Sequence, residues 1–252
     1  GIGPVAGEWI RDNFDYDAAW WSIGAAVGLG AIASIRLPER VAPVKPPEGH
    51  RTRFAPVLHK AGIGPGVILL LGTMPWVAFS NYMPLHAQDL NIENYSRAFA
   101  YYSITVIVVR IFGAKLPDRI APRRITTVSL LIIAAAMLTM ATLQTSAAPF
   151  IGAVLYGIGG SLLYPALLNS AVDSVDEHER SSVIASFTMF WDLGGLVGGL
   201  TFGIVAQQLG YPSVFGAAML SALAGVAALQ VFLRPPTRRT KTTRLADQAH
   251  PT

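Results

Sequence analysis

Residues 185 to 205, ASFTMFWDLGGLVGGLTFGIV, form an apolar stretch that contains one ionisable side chain, Asp192. A lone carboxylate among apolar residues is expensive to desolvate, so such a residue normally has a task. Because burial favours the protonated form, the group is suited to taking up and releasing a proton, and it could equally be a counter-charge for a cation. The structural alternative is an acid that hydrogen-bonds a neighbouring helix or pairs with Arg110.

Arg110 is a second charged residue inside an apolar stretch, residues 98–114. Two readings remain open for it. Its long side chain could reach the lipid headgroups from a position near the end of a helix. It could instead line a cavity and bind an anionic group or Asp192.

Composition indicates what kind of chain positions these groups. The chain is 52% hydrophobic and only 13% charged, about half the charge of a soluble domain, so we expect an all-α polytopic membrane protein. With no cysteine, disulfides, thiol catalysis and cysteine metal sites are excluded. Seven stretches approach the roughly 20 residues of a spanning helix: 18–35, 65–86, 98–114, 125–143, 148–171, 183–207 and 213–233. Residues 1–7 resemble the end of an eighth.

Basic residues alternate between the connecting segments. Sixteen of the 19 lie in the segments 36–64, 115–124 and 172–182 and in the tail after Leu233, whereas the other connections hold two. This alternation places the rich segments and the C-terminus in the cytoplasm. It explains the net charge of +4 without nucleic acid, for which no motif is present. On this topology Asp192 lies about 15 Å from the cytoplasmic surface, near mid-membrane.

Several side chains on the predicted spans are candidates for lining an internal cavity: Trp76, Asn81, Tyr156, Tyr164 and Trp191. For the two tyrosines the alternative is ordinary aromatic packing. Pro75 predicts a flexible point, and Gly157, Gly159 and Gly160 predict close helix packing or local bending. The run GGLVGGL, residues 194–200, predicts a small-residue surface that glides against another bundle. It lacks the Lys-Ser/Thr of a phosphate-binding loop.

The segment RIFGAKLPDRIAPRRI, residues 110–125, joins two spans by a short cationic turn. Its glycine, Asp-Arg pair and double Arg resemble the second copy of the loop motif of the major facilitator superfamily. The matching residues are Gly113, Asp118, Arg119, Arg123 and Arg124, and the departures are Ala121 and Pro122. The resemblance implies a gate latch, in which these charges hold the cytoplasmic ends of neighbouring helices together in one state.

The segment GPVAG resembles the end of the glycine-proline signature on the fifth helix of proton-coupled drug antiporters in this superfamily. Gly3, Pro4 and Gly7 match, and Glu8 departs. The resemblance then implies an incomplete fold running from the end of helix five to helix twelve, of the sugar-efflux or multidrug-efflux branch. Its parts are a remnant of the N-terminal bundle (1–35), a proline-rich cytoplasmic linker (36–64), a complete six-helix bundle (65–234) and a cytoplasmic tail (235–252).

These observations predict a secondary transporter of the inner cell membrane that exports small organic molecules in exchange for protons. Its partners would be the substrate, protons, the bilayer and an N-terminal bundle in the same chain. We expect His86 and His178 to be surface histidines at the membrane edges. We expect no cofactor and no metal, since the two lack ligands at metal spacing, and no enzyme activity, since no catalytic set appears. The alternatives are a facilitative or symport importer of a sugar or organic acid, and an inactive half-transporter or scaffold.

Overall fold

The computed structural model describes residues 10, 13–35, 58–113 and 120–232, and within them it contains helices and no strand. The long helices are α1 (Tyr16–Ile35), α2 (Lys60–Asp89), α3 (Arg97–Gly113), α4 (Pro122–Thr142), α5 (Ala148–Val172), α6 (Arg180–Leu209) and α7 (Tyr211–Phe232). Helix α2 is interrupted by a π-helical turn, Ala78–Tyr82. A short 3₁₀ turn, Glu177–Glu179, precedes α6.

Every predicted span falls on one of these helices. Within the described residues, α2, α4, α5, α6 and α7 are long and apolar enough to cross a bilayer. The apolar part of α1 is Trp20–Ile35, and α3 has 17 residues, near the lower end of the length of a spanning helix. The expected all-α membrane fold, incomplete in this chain, is therefore confirmed.

Helix α2 is the centre of a six-helix bundle formed by α2 to α7. It packs against α5, α6 and α7, while α4 packs against α5 and α7, and α3 against α5. Phenylalanines from α2, α6 and α7 fill the core, namely Phe79, Phe187, Phe202 and Phe215. Helix α1 is exposed along almost all of its length. Helix α2 begins at Lys60 rather than at the predicted residue 65, because His59 caps it by accepting a hydrogen bond from the Ala61 N–H.

The glycine run on α6 divides into two stripes with different surroundings. A Cβ on Gly194 would lie 2.8 Å from the Leu70 carbonyl oxygen, and one on Gly198 would lie 3.3 Å from Val77. Gly195 and Gly199 have no such atom within 4 Å. The predicted gliding surface against another bundle is therefore wrong for Gly194 and Gly198. These two let α6 approach α2 closely, and the other two lie about 100° further around the helix on an uncovered face.

Small residues also set the packing of α5. A Cβ on Gly159 would lie 2.7 Å from the Ser129 carbonyl oxygen of α4, and one on Gly157 would lie 3.1 Å from the Tyr102 carbonyl oxygen of α3. The close packing predicted from these two glycines is present, and it fixes α5 between α3 and α4.

A hydrogen bond between helices compensates for the proline in the middle of α2. Pro75 has no N–H, so the carbonyl of Leu71, four residues earlier, loses its intrahelical donor. The Ser221 hydroxyl of α7 donates to this carbonyl at 2.6 Å. Because a polar group without a partner is costly in an apolar interior, this bond ties α7 to the kinked region of α2.

We expect Ser221→Ala to lower the free energy of unfolding by about 1–3 kcal/mol, because it leaves the Leu71 carbonyl without a donor. Thermal or denaturant unfolding of the purified protein in detergent measures this. Ser213→Ala is the matched control, since the Ser213 hydroxyl donates to Leu209 at the exposed junction of α6 and α7.

The Pro75→Ala background tests the mechanism, because an N–H at position 75 returns a donor to Leu71. There the effect of Ser221→Ala should shrink to a fraction of its value in the wild type. Equal losses in both backgrounds would contradict the role assigned to this bond.

The topology predicts which loops face each side of the membrane. These 252 residues contain no cysteine, so a single introduced cysteine is the only thiol among them, and the protein without it serves as the background control. We expect Thr145→Cys, between α4 and α5, to react with a membrane-impermeant maleimide added to intact cells. Ser174→Cys, between α5 and α6, should react only after permeabilisation. The opposite labelling pattern would invert the assigned orientation.

Candidate functional site

A cavity of about 180 Å³ lies among α2, α3, α5 and α6. Its walls are formed by Gly72, Trp76, Tyr102, Tyr156, Gly160, Leu163, Tyr164 and Trp191. Four of the five residues predicted from the sequence to line a cavity are therefore brought together. Tyr102 was not predicted from the sequence; its available signal was the cluster of aromatic residues Phe99, Tyr101 and Tyr102 near the start of α3.

The aromatic side chains of the cavity contact one another in two groups. Trp76 lies 5.4 Å from Tyr102 and 5.9 Å from Tyr156, measured between ring centroids. Phe79 stacks behind Tyr156 at 5.4 Å with an interplanar angle of 10°. Trp191 meets Tyr164 edge to face at 5.9 Å and 81°. These mutual contacts hold the rings in fixed orientations.

Local backbone features place two of the walls. Trp76 directly follows Pro75 and precedes the π-helical turn, so it lies where α2 departs from regular helical geometry. Gly160 leaves room for the Tyr156 ring one turn earlier on α5, since a Cβ there would lie 3.3 Å from its Cε1 atom. The glycine thus opens the space beside the ring.

Asn81 does not line this cavity, which corrects the expectation from the sequence. It lies in the π-helical turn and is exposed, and its side-chain oxygen accepts a hydrogen bond of 3.3 Å from the Ser80 hydroxyl. Five residues separate Asn81 from Trp76, and a helix turns by about 500° over that distance, so the two side chains lie on different faces of α2.

His86 also differs from its prediction as a surface histidine. It is 7% exposed, its ring lies 5.6 Å from that of Phe215, and its Nε2 atom has no hydrogen-bond partner. The reason is that α2 continues to Asp89, so residue 86 lies inside a helix packed against α7 and not in a loop.

Asp192 lies close to the middle of α6, twelve residues after Arg180, or about 18 Å along the axis. Its side chain is exposed, on the uncovered stripe that also contains Gly195 and Gly199, three and seven residues later. Trp191, its neighbour, is 39% exposed and lines the cavity. Asp192 therefore stands beside the cavity, on a face that no other described helix covers.

Arg110 is exposed near the end of α3. It lies eight residues, or about 12 Å along the axis, after the cavity-lining Tyr102 on the same helix. Within the described residues no ion pair joins Arg110 and Asp192, and α3 and α6 are not among the closely packed pairs of helices. The pairing considered for these two charges is absent from this conformation.

The predicted gate motif is described in part, since Asp118 and Arg119 lie outside the described residues. Arg123 donates a hydrogen bond from Nη2 to the side-chain oxygen of Gln230, which links the start of α4 to the end of α7. Arg124 is exposed. Gly113 is buried, but a Cβ there would meet Leu162 at an ordinary 3.7 Å, so the packing of α3 on α5 does not require a glycine at this position. Gly3, Pro4 and Gly7 also fall outside the described residues.

A second contact joins helices at the same end of the bundle. The His59 N–H donates to the Ser186 hydroxyl at 2.8 Å, and His59 Nε2 lies 3.8 Å from a carboxylate oxygen of Glu179. These contacts connect the start of α2 to the start of α6. Sequence analysis missed them, because a single histidine ahead of a helix carries no signal for a distant partner.

We expect Arg123 and Gln230 to show a coupling energy of about 0.2–1 kcal/mol in a double-mutant cycle of unfolding, the range of exposed charge-assisted contacts. The variants are Arg123→Ala, Gln230→Ala and their combination. A cycle with Arg124→Ala in place of Arg123→Ala is the control, and it should give no coupling. Equal coupling in both cycles would show that the contact is not specific.

The arrangement of helices is shared with solved transporters. The peptide transporter POT, crystallised with sulfate, superposes with a TM-score of 0.51 at 22% sequence identity, covering 73% of this chain and 43% of that one. At this level of identity the likeness concerns the fold.

Sequence comparisons identify the family. The model of the Major Facilitator Superfamily matches residues 1–199 and 98–251. An uncharacterised MFS-type transporter of Salmonella typhimurium is 31% identical over 71% of this chain and 47% of its own length. An uncharacterised MFS-type transporter of Burkholderia mallei is 28% identical over 81% of this chain and 51% of its own length. The chain thus spans about half the length of these relatives. It belongs to the major facilitator superfamily of transporters and is a multi-pass membrane protein.

Proposed function

We propose that the chain is the C-terminal half of a secondary transporter that exports small organic molecules in exchange for protons. The observation that carries the proposal is the convergence of Trp76, Tyr156, Tyr164 and Trp191 on one cavity beside Asp192. Transporter sites of this kind lie near the bilayer midplane between helices. The proposed location is the inner cell membrane, with the C-terminus in the cytoplasm.

The cavity has the composition of a small-molecule site. Its walls are apolar and aromatic, with three tyrosine hydroxyls as the polar groups that could orient a ligand. Such sites are concave and mostly apolar, with few polar groups. A substrate with a ring or a branched apolar group therefore fits better than an inorganic ion.

Asp192 is proposed as the proton-coupling group. A carboxylate that alternates between charged and protonated forms needs access to water in one state and an apolar environment in another. Its position near the middle of α6, beside the cavity wall and on an uncovered stripe with Gly195 and Gly199, supports such a role. A second helical bundle packed over this stripe would complete the site, in keeping with relatives about twice as long.

Alternating access requires contacts that open in one state. The hydrogen bond from Arg123 to Gln230 and the contacts of His59 with Ser186 and Glu179 tie helix ends together at the end predicted to be cytoplasmic. These surface contacts are individually weak. They are the proposed cytoplasmic latch, together with Asp118 and Arg119 of the loop motif.

A second candidate is an importer of a sugar or an organic acid, by facilitation or symport. One observation favours it, namely the position of the exposed Arg110 two helical turns after the wall residue Tyr102 on α3. A cation at that position would attract a carboxylate substrate. The direction of an imposed gradient that drives uptake distinguishes the two candidates.

We expect Asp192→Asn to reduce proton-driven solute flux at least ten-fold in proteoliposomes made with the full-length protein, because the amide cannot carry a proton. Flux is followed by radiolabelled solute under an imposed pH gradient. Asp173→Asn, an exposed acid in the loop after α5, is the control and should transport at the wild-type rate.

Solute exchange across the membrane in the absence of a pH gradient is the second measurement on Asp192→Asn. If Asp192 couples protons without binding the solute, exchange persists in Asp192→Asn. Gradient-driven flux at the wild-type rate in this variant would overturn the coupling role. An absence of saturable solute flux in the wild type would overturn transport itself and leave a scaffold.

A further inference from the structure

We infer that the cavity among α2, α3, α5 and α6 binds an organic cation with an alkylated ammonium head. The inference rests on the proposed function, because it takes this cavity to be the substrate site of the transporter. It assigns the chemical class of the ligand from the walls of the cavity and from the charges beside it.

The walls are aromatic on all four helices. Trp76 comes from α2, Tyr102 from α3, Tyr156 and Tyr164 from α5, and Trp191 from α6, and no Lys, Arg, Asp or Glu is among the lining residues. The face of an aromatic ring carries partial negative charge, so rings around a cavity attract a cation without any formal charge. Several rings around one cavity are the usual arrangement for quaternary ammonium groups.

The rings are held in place before any ligand enters. Trp76 is inclined by 41° to Tyr102 and by 32° to Tyr156, and Tyr164 and Trp191 are nearly perpendicular at 81°. Because the rings are fixed by contact with one another, little conformational entropy is lost on binding.

The size of the cavity selects a compact group. A cavity of about 150 Å³ accepts a benzene molecule, so the volume of about 180 Å³ here encloses one group of that size, such as a trimethylammonium head. The wall residue Trp191 is 39% exposed, so the remainder of a ligand, such as a phenyl group on that head, can extend out of the cavity beside it. A primary ammonium is strongly hydrated, and the three tyrosine hydroxyls could replace only part of its water. An alkylated ammonium is weakly hydrated, so removing its water costs less free energy that the cavity would have to offset.

Two charged residues beside the cavity allow a test of whether the ligand is a cation or an anion. Asp192 follows the wall residue Trp191 on α6, and Arg110 lies two helical turns after the wall residue Tyr102 on α3. For a cation, Asp192 strengthens binding and Arg110 weakens it. For an anion, the two effects are reversed.

Equilibrium binding of phenyltrimethylammonium and its neutral isostere tert-butylbenzene to the purified full-length protein tests the inference. The two differ by a charged nitrogen in place of a carbon. We expect the cation to bind at least ten-fold more tightly, because the rings attract its charge. A merely apolar cavity would prefer the neutral compound, so equal or tighter binding of tert-butylbenzene overturns the inference.

Variants locate the binding. Trp191→Leu should weaken binding of the cation about ten-fold, and Trp191→Phe, which keeps a ring, should stay within about three-fold of the wild type. Trp20→Leu on the exposed helix α1 is the control and should change nothing. Circular dichroism and gel filtration confirm that each variant is folded. Unchanged binding in a folded Trp191→Leu places the cation elsewhere and overturns the inference.

The charge variants complete the test. Asp192→Asn should weaken and Arg110→Gln should strengthen binding of the cation, by at least two-fold each. The reverse pattern identifies an anion site and overturns the inference.

Binding needs no gradient, so it separates this inference from the proposed function. Cation binding with these variant effects but without flux supports the inference and refutes transport. Flux of a solute with which phenyltrimethylammonium does not compete supports transport and refutes the inference.

Discussion

The structure depends on the rule that a polar backbone group inside a bilayer must have a partner. Helix α2 is the centre of the bundle, and Pro75 breaks this rule in its middle by leaving the Leu71 carbonyl without a donor. The hydroxyl of Ser221 supplies the donor from α7. Trp76 follows at the same irregular point and faces the cavity. The hydrogen bond from Ser221 and the cavity wall at Trp76 therefore belong to the same region of α2.

Small residues determine which side of α6 packs against α2 and which side stays uncovered. Gly194 brings one side of the helix against the backbone of α2, which fixes how α6 is rotated. That rotation points Trp191 into the cavity and leaves Asp192 and Gly195 on the uncovered side. A single helix thus joins the packed core, the aromatic wall and the acid that we propose to couple protons.

Much of this arrangement could be predicted from the sequence, and the failures have definite causes. Hydropathy located every long helix among the described residues, because a bilayer demands long apolar segments, and Tyr156 and Tyr164 lie in one cavity wall. Asn81 was misplaced because residues five apart, such as Trp76 and Asn81, lie on different faces of a helix. His86 was misplaced because the end of a helix is set by packing that hydropathy does not see. The contact of His59 with α6 is between residues far apart in the chain, which no local pattern reveals.

The central claim is that the uncovered face of α6 lines a pathway for solute and does not face lipid. A spin label on Gly195→Cys, where space is open, measures this in the full-length protein in bilayers by its collisions with water-soluble nickel chelate and with lipid-soluble oxygen. The account predicts that the nickel chelate relaxes the label more than oxygen does. Relaxation dominated by oxygen, as for a lipid-facing site, would contradict it.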